Sequence, residues 1–168
     1  MFTKINEIKF KYIPLFCIII YVPFHLTEEG IGNFPLWMSE HYNLPKVLSY
    51  PHWLINNSIF FLILIIGLII YFRDRIKFLP FGVGIVIWSF MNGMEHIVFS
   101  VIDLKPAPGI ITAIIFLLVS IFGFIKLRAE NSLDMKLMYK SIVVGIGYWV
   151  IPIAFIVSIG DYLSVVFP

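Results

Sequence analysis

The chain has 168 residues, of which 60% are hydrophobic and only 13% charged, with a mean hydropathy of +0.96 and a net charge of +2. A soluble domain is about half apolar and about a quarter charged, so this composition lacks the polar groups needed to cover its apolar surface in water. A soluble globular fold is excluded, a charge of +2 leaves no footprint for nucleic acid, and the lipid bilayer becomes the expected partner.

A membrane-spanning helix needs about 20 mostly apolar residues. Five stretches qualify, at roughly 9–29, 53–72, 79–102, 108–127 and 141–163. They predict an all-α integral membrane bundle of five transmembrane helices forming one domain, 1–168. Lys4, Lys9 and Lys11 precede the first stretch in the manner of a signal peptide, but no small-residue cleavage site follows. Phe16 before Cys17 also spoils a lipoprotein-type cleavage box, so the segment is expected to stay as a first helix. Cys17 is the only cysteine and excludes an intrachain disulfide.

The first helix should bend at Pro23. It ends in His25-Leu-Thr-Glu28-Glu29, a spacing of i, i+3 and i+4 that puts three ionisable side chains toward one face. The connection from about 30 to 52 carries Pro35, Trp37, Tyr42 and Tyr50, with Trp53 just beyond, which suits a segment at headgroup level. His52, Asn56 and Asn57 open the second helix as interfacial or packing groups. The third helix contains Asn92-Gly-Met-Glu95-His96, repeating the clustered spacing. In the fifth, Gly145 and Gly147 suit close helix approach, Pro152 suits a kink, and Asp161 stands near the end. The remaining aromatic residues are expected to be mostly lipid-facing bulk.

Lysine and arginine alternate along the connections. The first, third and fifth non-membrane segments hold Lys4, Lys9 and Lys11, then Arg73, Arg75 and Lys77, then Lys126, Arg128, Lys136 and Lys140. The second and fourth hold only Lys46 and Lys105. The positive-inside rule then places the N-terminus in the cytoplasm and the C-terminus outside. Short loops and richness in Ile, Phe and Lys fit a bacterial cytoplasmic membrane. With this topology His25, Glu28, Glu29, Asn92, Glu95, His96 and Asp161 all fall in the outer half of the membrane, with His52 on the same side.

An ionisable group near the bilayer centre costs about 3 kcal/mol on insertion scales, so such groups face one another, a cavity or a ligand. Imidazoles and carboxylates at one depth suit a divalent metal, zinc among the candidates, with His25, Glu28, Glu29 and His96 as ligands. Glu28, Glu29, Glu95, Asn92 and Asp161 are the candidate catalytic groups. The spacing is neither the Glu-x-x-His of di-iron bundles nor the His-Glu-x-x-His of zinc proteases. Plainer readings stand beside these: His25 snorkelling at a helix end, Glu28 and Glu29 in an outer loop, Asn92 bonding a neighbouring helix, and Asp161 as a solvated helix end.

His25-Leu-Thr-Glu28-Glu29 followed by Asn92-x-x-x-His96, in a small multi-spanning membrane protein, resembles the HXXEE-domain family. The resemblance implies a working site of His25, Glu28, Glu29, Asn92 and His96, and it supplies no reaction. From the residues, the expected function is a membrane-embedded, metal-dependent hydrolase or acyl transferase acting on a lipid or apolar small molecule at the outer side. The alternatives are a metal-free acid/base lipid isomerase and a proton- or ion-coupled transporter. A homo-oligomer is compatible with either class.

Overall fold

The computed structural model describes residues 9–41, 49–130 and 134–166, with side chains described as far as Ala154. Lys4, Tyr42, Lys46 and the side chain of Asp161 lie outside the described residues. The elements are helices: α1 (Phe10–Ile31), α2 (Phe34–His41), α3 (Tyr50–Arg73), α4 (Leu79–Asp103), α5 (Ile110–Ala129) and α6 (Met135–Val166). All except α2 are long and apolar enough to cross a membrane.

The central helix is α4. Its residues 82–89 are all buried, which an α-helix achieves only when neighbours surround it. It packs against α6 and α5 most extensively, and against α3 and α1. Close approach of α4 to α6 is made where Gly84 meets Gly145: a β-carbon on Gly84 would lie 3.2 Å from the Gly145 backbone nitrogen, and one on Gly145 would lie 3.3 Å from the Gly84 carbonyl oxygen. Gly147, by contrast, is not at a close approach: a β-carbon there would meet only Ile151, at 3.9 Å. Between the helices, Ser120 donates to the Val86 carbonyl (3.1 Å) and Tyr148 to the Phe81 carbonyl (3.2 Å). Each bond satisfies a hydroxyl that lipid could not. The outward faces of α3, α5 and α6 are apolar and exposed, with Leu62, Ile69, Leu118, Ile125 and Val150 among them, as hydrocarbon contact requires.

Several boundaries differ from the hydropathy reading, and local chemistry explains each. Helix α3 begins at Tyr50 because Ser49 caps it, accepting from the His52 backbone N–H, with Pro51 in the first turn. Helix α6 begins at Met135 rather than near 141. Asp134 accepts the Leu137 N–H at 2.6 Å, and Lys136 and Lys140 ride in the first turns with their charges clear of the apolar zone. The connection after α1 holds a short helix, α2, whose Trp37 stacks on His41 at 5.0 Å while His41 pairs with Asp103 at the end of α4. Not every aromatic residue faces lipid: Trp88, Tyr21, Tyr71 and Phe116 are buried, as is Trp53.

Candidate metal centre

Pro23 has no N–H, so the helical ladder of α1 is interrupted where the sequence places it. The chain passes through a π turn over Tyr21–His25, and the Leu26 N–H donates to the Tyr21 carbonyl, five residues back. Such one-residue insertions re-aim the side chains that follow and are frequent at functional sites. After it, His25 and Glu29 point into the bundle.

The three groups brought together are His25, Glu29 and His96, with 0%, 5% and 1% of their surfaces exposed. Glu29 Oε1 lies 3.4 Å from His25 Nε2 and 3.2 Å from His96 Nε2. The imidazole rings stand edge to face at 4.8 Å and 90°. One ligand atom from each residue lies within 4.8 Å of the other two. An ion held tetrahedrally at about 2.0–2.1 Å separates its ligand atoms by about 3.3–3.4 Å. The two edges that run to Glu29, 3.4 and 3.2 Å, lie close to that value. Phe116 packs edge-on to His25 (5.1 Å) and Phe34 lies against His96 (5.4 Å), so the cluster sits in an apolar shell.

Glu28 takes a different position from Glu29. Successive residues of a helix point about 100° apart, and Glu28 turns toward the start of α5. Its Oε1 accepts from the Ile111 N–H (2.9 Å), and its Oε2 accepts from the Thr112 N–H (2.8 Å) and the Thr112 hydroxyl (2.6 Å). These backbone N–H groups are the unpaired ones of a helix N-terminus, where a negative charge is also favoured by the helix dipole. The residue that would ordinarily cap α5 is Gly109, which has no side chain to do so. It cannot have one: its φ is +88°, and a β-carbon there would lie 2.9 Å from His96, 3.0 Å from His25 and 3.1 Å from Glu29. Glu28 therefore caps α5 from another helix.

Thr112 joins the two roles. Its hydroxyl donates toward Glu28 Oε2 (2.6 Å) and the Gly109 carbonyl (3.1 Å), which leaves its oxygen to accept from His25 Nδ1–H at 2.8 Å. That bond sets the His25 tautomer and leaves Nε2 toward Glu29 and His96, the arrangement by which outer partners orient a metal-binding imidazole. In the motif, then, the histidine and second glutamate enter the cluster, while the first glutamate docks α5 and orients the histidine through Thr112.

Asn92 and Glu95 do not join the cluster but line a cavity of about 160 Å³ that Glu29 also borders. Aromatic residues from α1, α2, α3, α4 and α6 complete its wall. His52 contacts Ser49 at 2.5 Å and does not belong to the cluster. Sequence reasoning missed Gly109 and Thr112. The signal for both was the Pro108-Gly109 pair ahead of an apolar run, which marks a helix start, with threonine three positions into it.

The fold and site together define an integral membrane helix bundle with a buried His/Glu/His cluster between its first and third spans. Residues 16–123, more than half of the chain, match the family model described as "Protein of unknown function with HXXEE motif". The chain belongs to the HXXEE family. No curated protein and no solved structure matches the chain.

Proposed function

We propose that this protein is a membrane-embedded, metal-dependent enzyme, of hydrolase or acyl-transferase type, acting on a lipid or other apolar substrate at the outer side of the membrane. The observation that carries this reading is the convergence of three buried ligand atoms, two imidazole nitrogens and a carboxylate oxygen, beside a cavity that shares Glu29 with them. Three protein ligands leave one position of a tetrahedral ion for water or substrate, the pattern of catalytic zinc sites, whereas structural sites are closed by four. Zinc is the favoured ion on that ground. When bound, such an ion supplies a Lewis acid and a water acidified toward neutral pH. Glu95, on the cavity wall with Glu29, is the carboxylate that would serve as general base and acid there. Asn92, one turn before His96, offers a carboxamide to orient the substrate.

The orientation supports the outer side: the clustered lysines and arginines sit at the opposite ends of the helices from the cluster, and by the positive-inside rule those ends are cytoplasmic. Short loops and richness in Ile, Phe and Lys favour a bacterial cytoplasmic membrane. A metal-free acid/base reading has one observation in its favour, the sharing of Glu29 Oε1 between two imidazoles, which equally suits a held proton.

Elemental analysis of the mildly purified protein tests the metal, and incubation with lipid vesicles followed by mass spectrometry tests the chemistry. The expected result is about one equivalent of metal and lipid turnover, with both lost in His96→Ala. Turnover at wild-type level in His96→Ala overturns the metal-dependent reading. Metal below about 0.1 equivalent with turnover intact selects the acid/base reading.

A further inference from the structure

At the start of α4, far from the His/Glu/His cluster, two adjoining spaces lie between α4 and α6. One is a hollow of about 230 Å³ with Lys77, Lys136, Lys140 and Asp134 on its wall. The other is an apolar groove of about 360 Å³ formed by Pro80, Phe81, Tyr139, Val143 and Val144. Lys77, Pro80 and Lys140 line both, so the two make one continuous site with a basic mouth and an apolar body. The groove runs toward the tight contact of the two helices, where a β-carbon on Gly84 would stand 2.7 Å from Val144.

Local chemistry brings the lysines together. Asp74 accepts from the Ile76 and Lys77 N–H groups (3.1 and 3.0 Å), forming the turn that holds Lys77 at the foot of α4. Lys136 and Lys140 stand four apart on α6 and so share a face, where like charges repel. The positive-inside rule asks only that such charges lie on one side of the membrane. It does not ask that lysines from two remote segments meet over one apolar groove. None of the three forms an ion pair among the described residues. The carboxylate of Asp134 is engaged by the Leu137 N–H at 2.6 Å. Lys77 lies over the Phe78 ring at 5.2 Å, a contact that does not neutralise its charge. The mouth is therefore short of negative charge.

Charge and shape together select the occupant. Lysine ammonium groups hold phosphate as point charges, and basic clusters at a membrane face attract anionic lipids. Tyr139 and Val143 stay 72% and 54% exposed, so the groove opens sideways to the bilayer. A free phosphate ester would leave the groove empty. A zwitterionic lipid would bring a cation of its own to the lysines. An anionic phospholipid satisfies both parts. We propose that this groove binds one anionic phospholipid, its headgroup phosphate against Lys77, Lys136 and Lys140 and an acyl chain along Phe81, Val143 and Val144. The site is separate from the candidate centre, since His96 lies seventeen residues beyond Leu79 on α4, about 26 Å along the helix, and the proposal stands or falls without the enzyme reading.

The test is native mass spectrometry of the full chain released from detergent micelles after titration with phosphatidylglycerol, with phosphatidylcholine of the same tails, or with phosphatidylglycerol in the presence of glycerol phosphate. One saturable phosphatidylglycerol adduct is expected, with phosphatidylcholine at least about tenfold weaker and no displacement by glycerol phosphate. Each lysine near a lipid surface contributes about fivefold to affinity. Lys77→Gln should therefore bind about fivefold more weakly and Lys136→Gln/Lys140→Gln about 25-fold more weakly. Lys9→Gln/Lys11→Gln removes the same number of charges beside a different hollow and should leave the adduct unchanged. Val143→Trp fills the groove with every lysine kept and should also weaken it. Equal retention of the two lipids, displacement by glycerol phosphate, or equal losses in the two double variants would overturn the proposal.

Discussion

Replacing Gly109 with alanine tests whether the cluster is built as described, because one added carbon touches all three of its members. The β-carbon would stand 2.9 Å from His96 Cε1, 3.0 Å from His25 Cε1 and 3.1 Å from Glu29 Cγ. Ordinary contact begins near 3.4 Å, so the His96 ring must retreat by about 0.5 Å, against a tolerance of about 0.2 Å for a ligand distance. The backbone adds a second strain: at φ +88° a side chain costs roughly 1–2 kcal/mol, and overpacking of a buried site costs roughly 1–3 kcal/mol. Gly109→Ala should therefore lose about 2–5 kcal/mol of stability and most of its metal affinity. Thermal unfolding in detergent reads the first quantity, and chelator competition reads the second. A Gly109→Ala protein that unfolds with the wild type and holds its metal as tightly would refute the packing argument and the centre built upon it.

Thr112→Val removes the acceptor for His25 Nδ1–H while keeping the side-chain volume. Metal affinity should fall about 10–100-fold, the usual effect of losing an outer partner, and an unchanged affinity would show that His25 is oriented by something else. Glu28→Ala strips three hydrogen bonds from the start of α5 and should destabilise the protein by about 2–4 kcal/mol, since bonds to a charged partner are the strong ones. Glu28→Gln retains an acceptor and should lose about half as much; equal losses in the two variants would argue against capping. Reporter fusions at the two ends should place the N-terminus in the cytoplasm and the C-terminus outside. The reverse result would move the cluster to the inner leaflet and remove the outer-side assignment.

The five spans were legible because hydropathy over some 20 residues is insensitive to neighbours. The meeting of His25, Glu29 and His96 was legible for a related reason: ionisable groups at one depth in a bilayer have few places to go except toward each other. The separate duties of Glu28 and Glu29 were not legible. At i+3 and i+4 from His25 both sit near its face, and only the position of the α5 N-terminus, a tertiary fact, draws one away. Helix α2 was hidden in a connection because eight residues carry too little periodicity to register. The buried indoles looked like interfacial or lipid-facing residues, since a large aromatic side chain reads alike in a membrane and in a core. What distinguishes them is their burial against neighbouring helices, which needs coordinates to be seen.

The capping of α5 by a residue of α1 sets an order of assembly. His25 is aligned only after Thr112 has arrived, and Thr112 arrives only when the fourth span has inserted and offered its amide ends to Glu28. A partly inserted chain holding the first three spans already owns both histidines and the glutamate, yet lacks the part that turns His25 to face the others. If the cluster holds the proposed ion, that ion would find its ligands aligned only once the fourth span is in place.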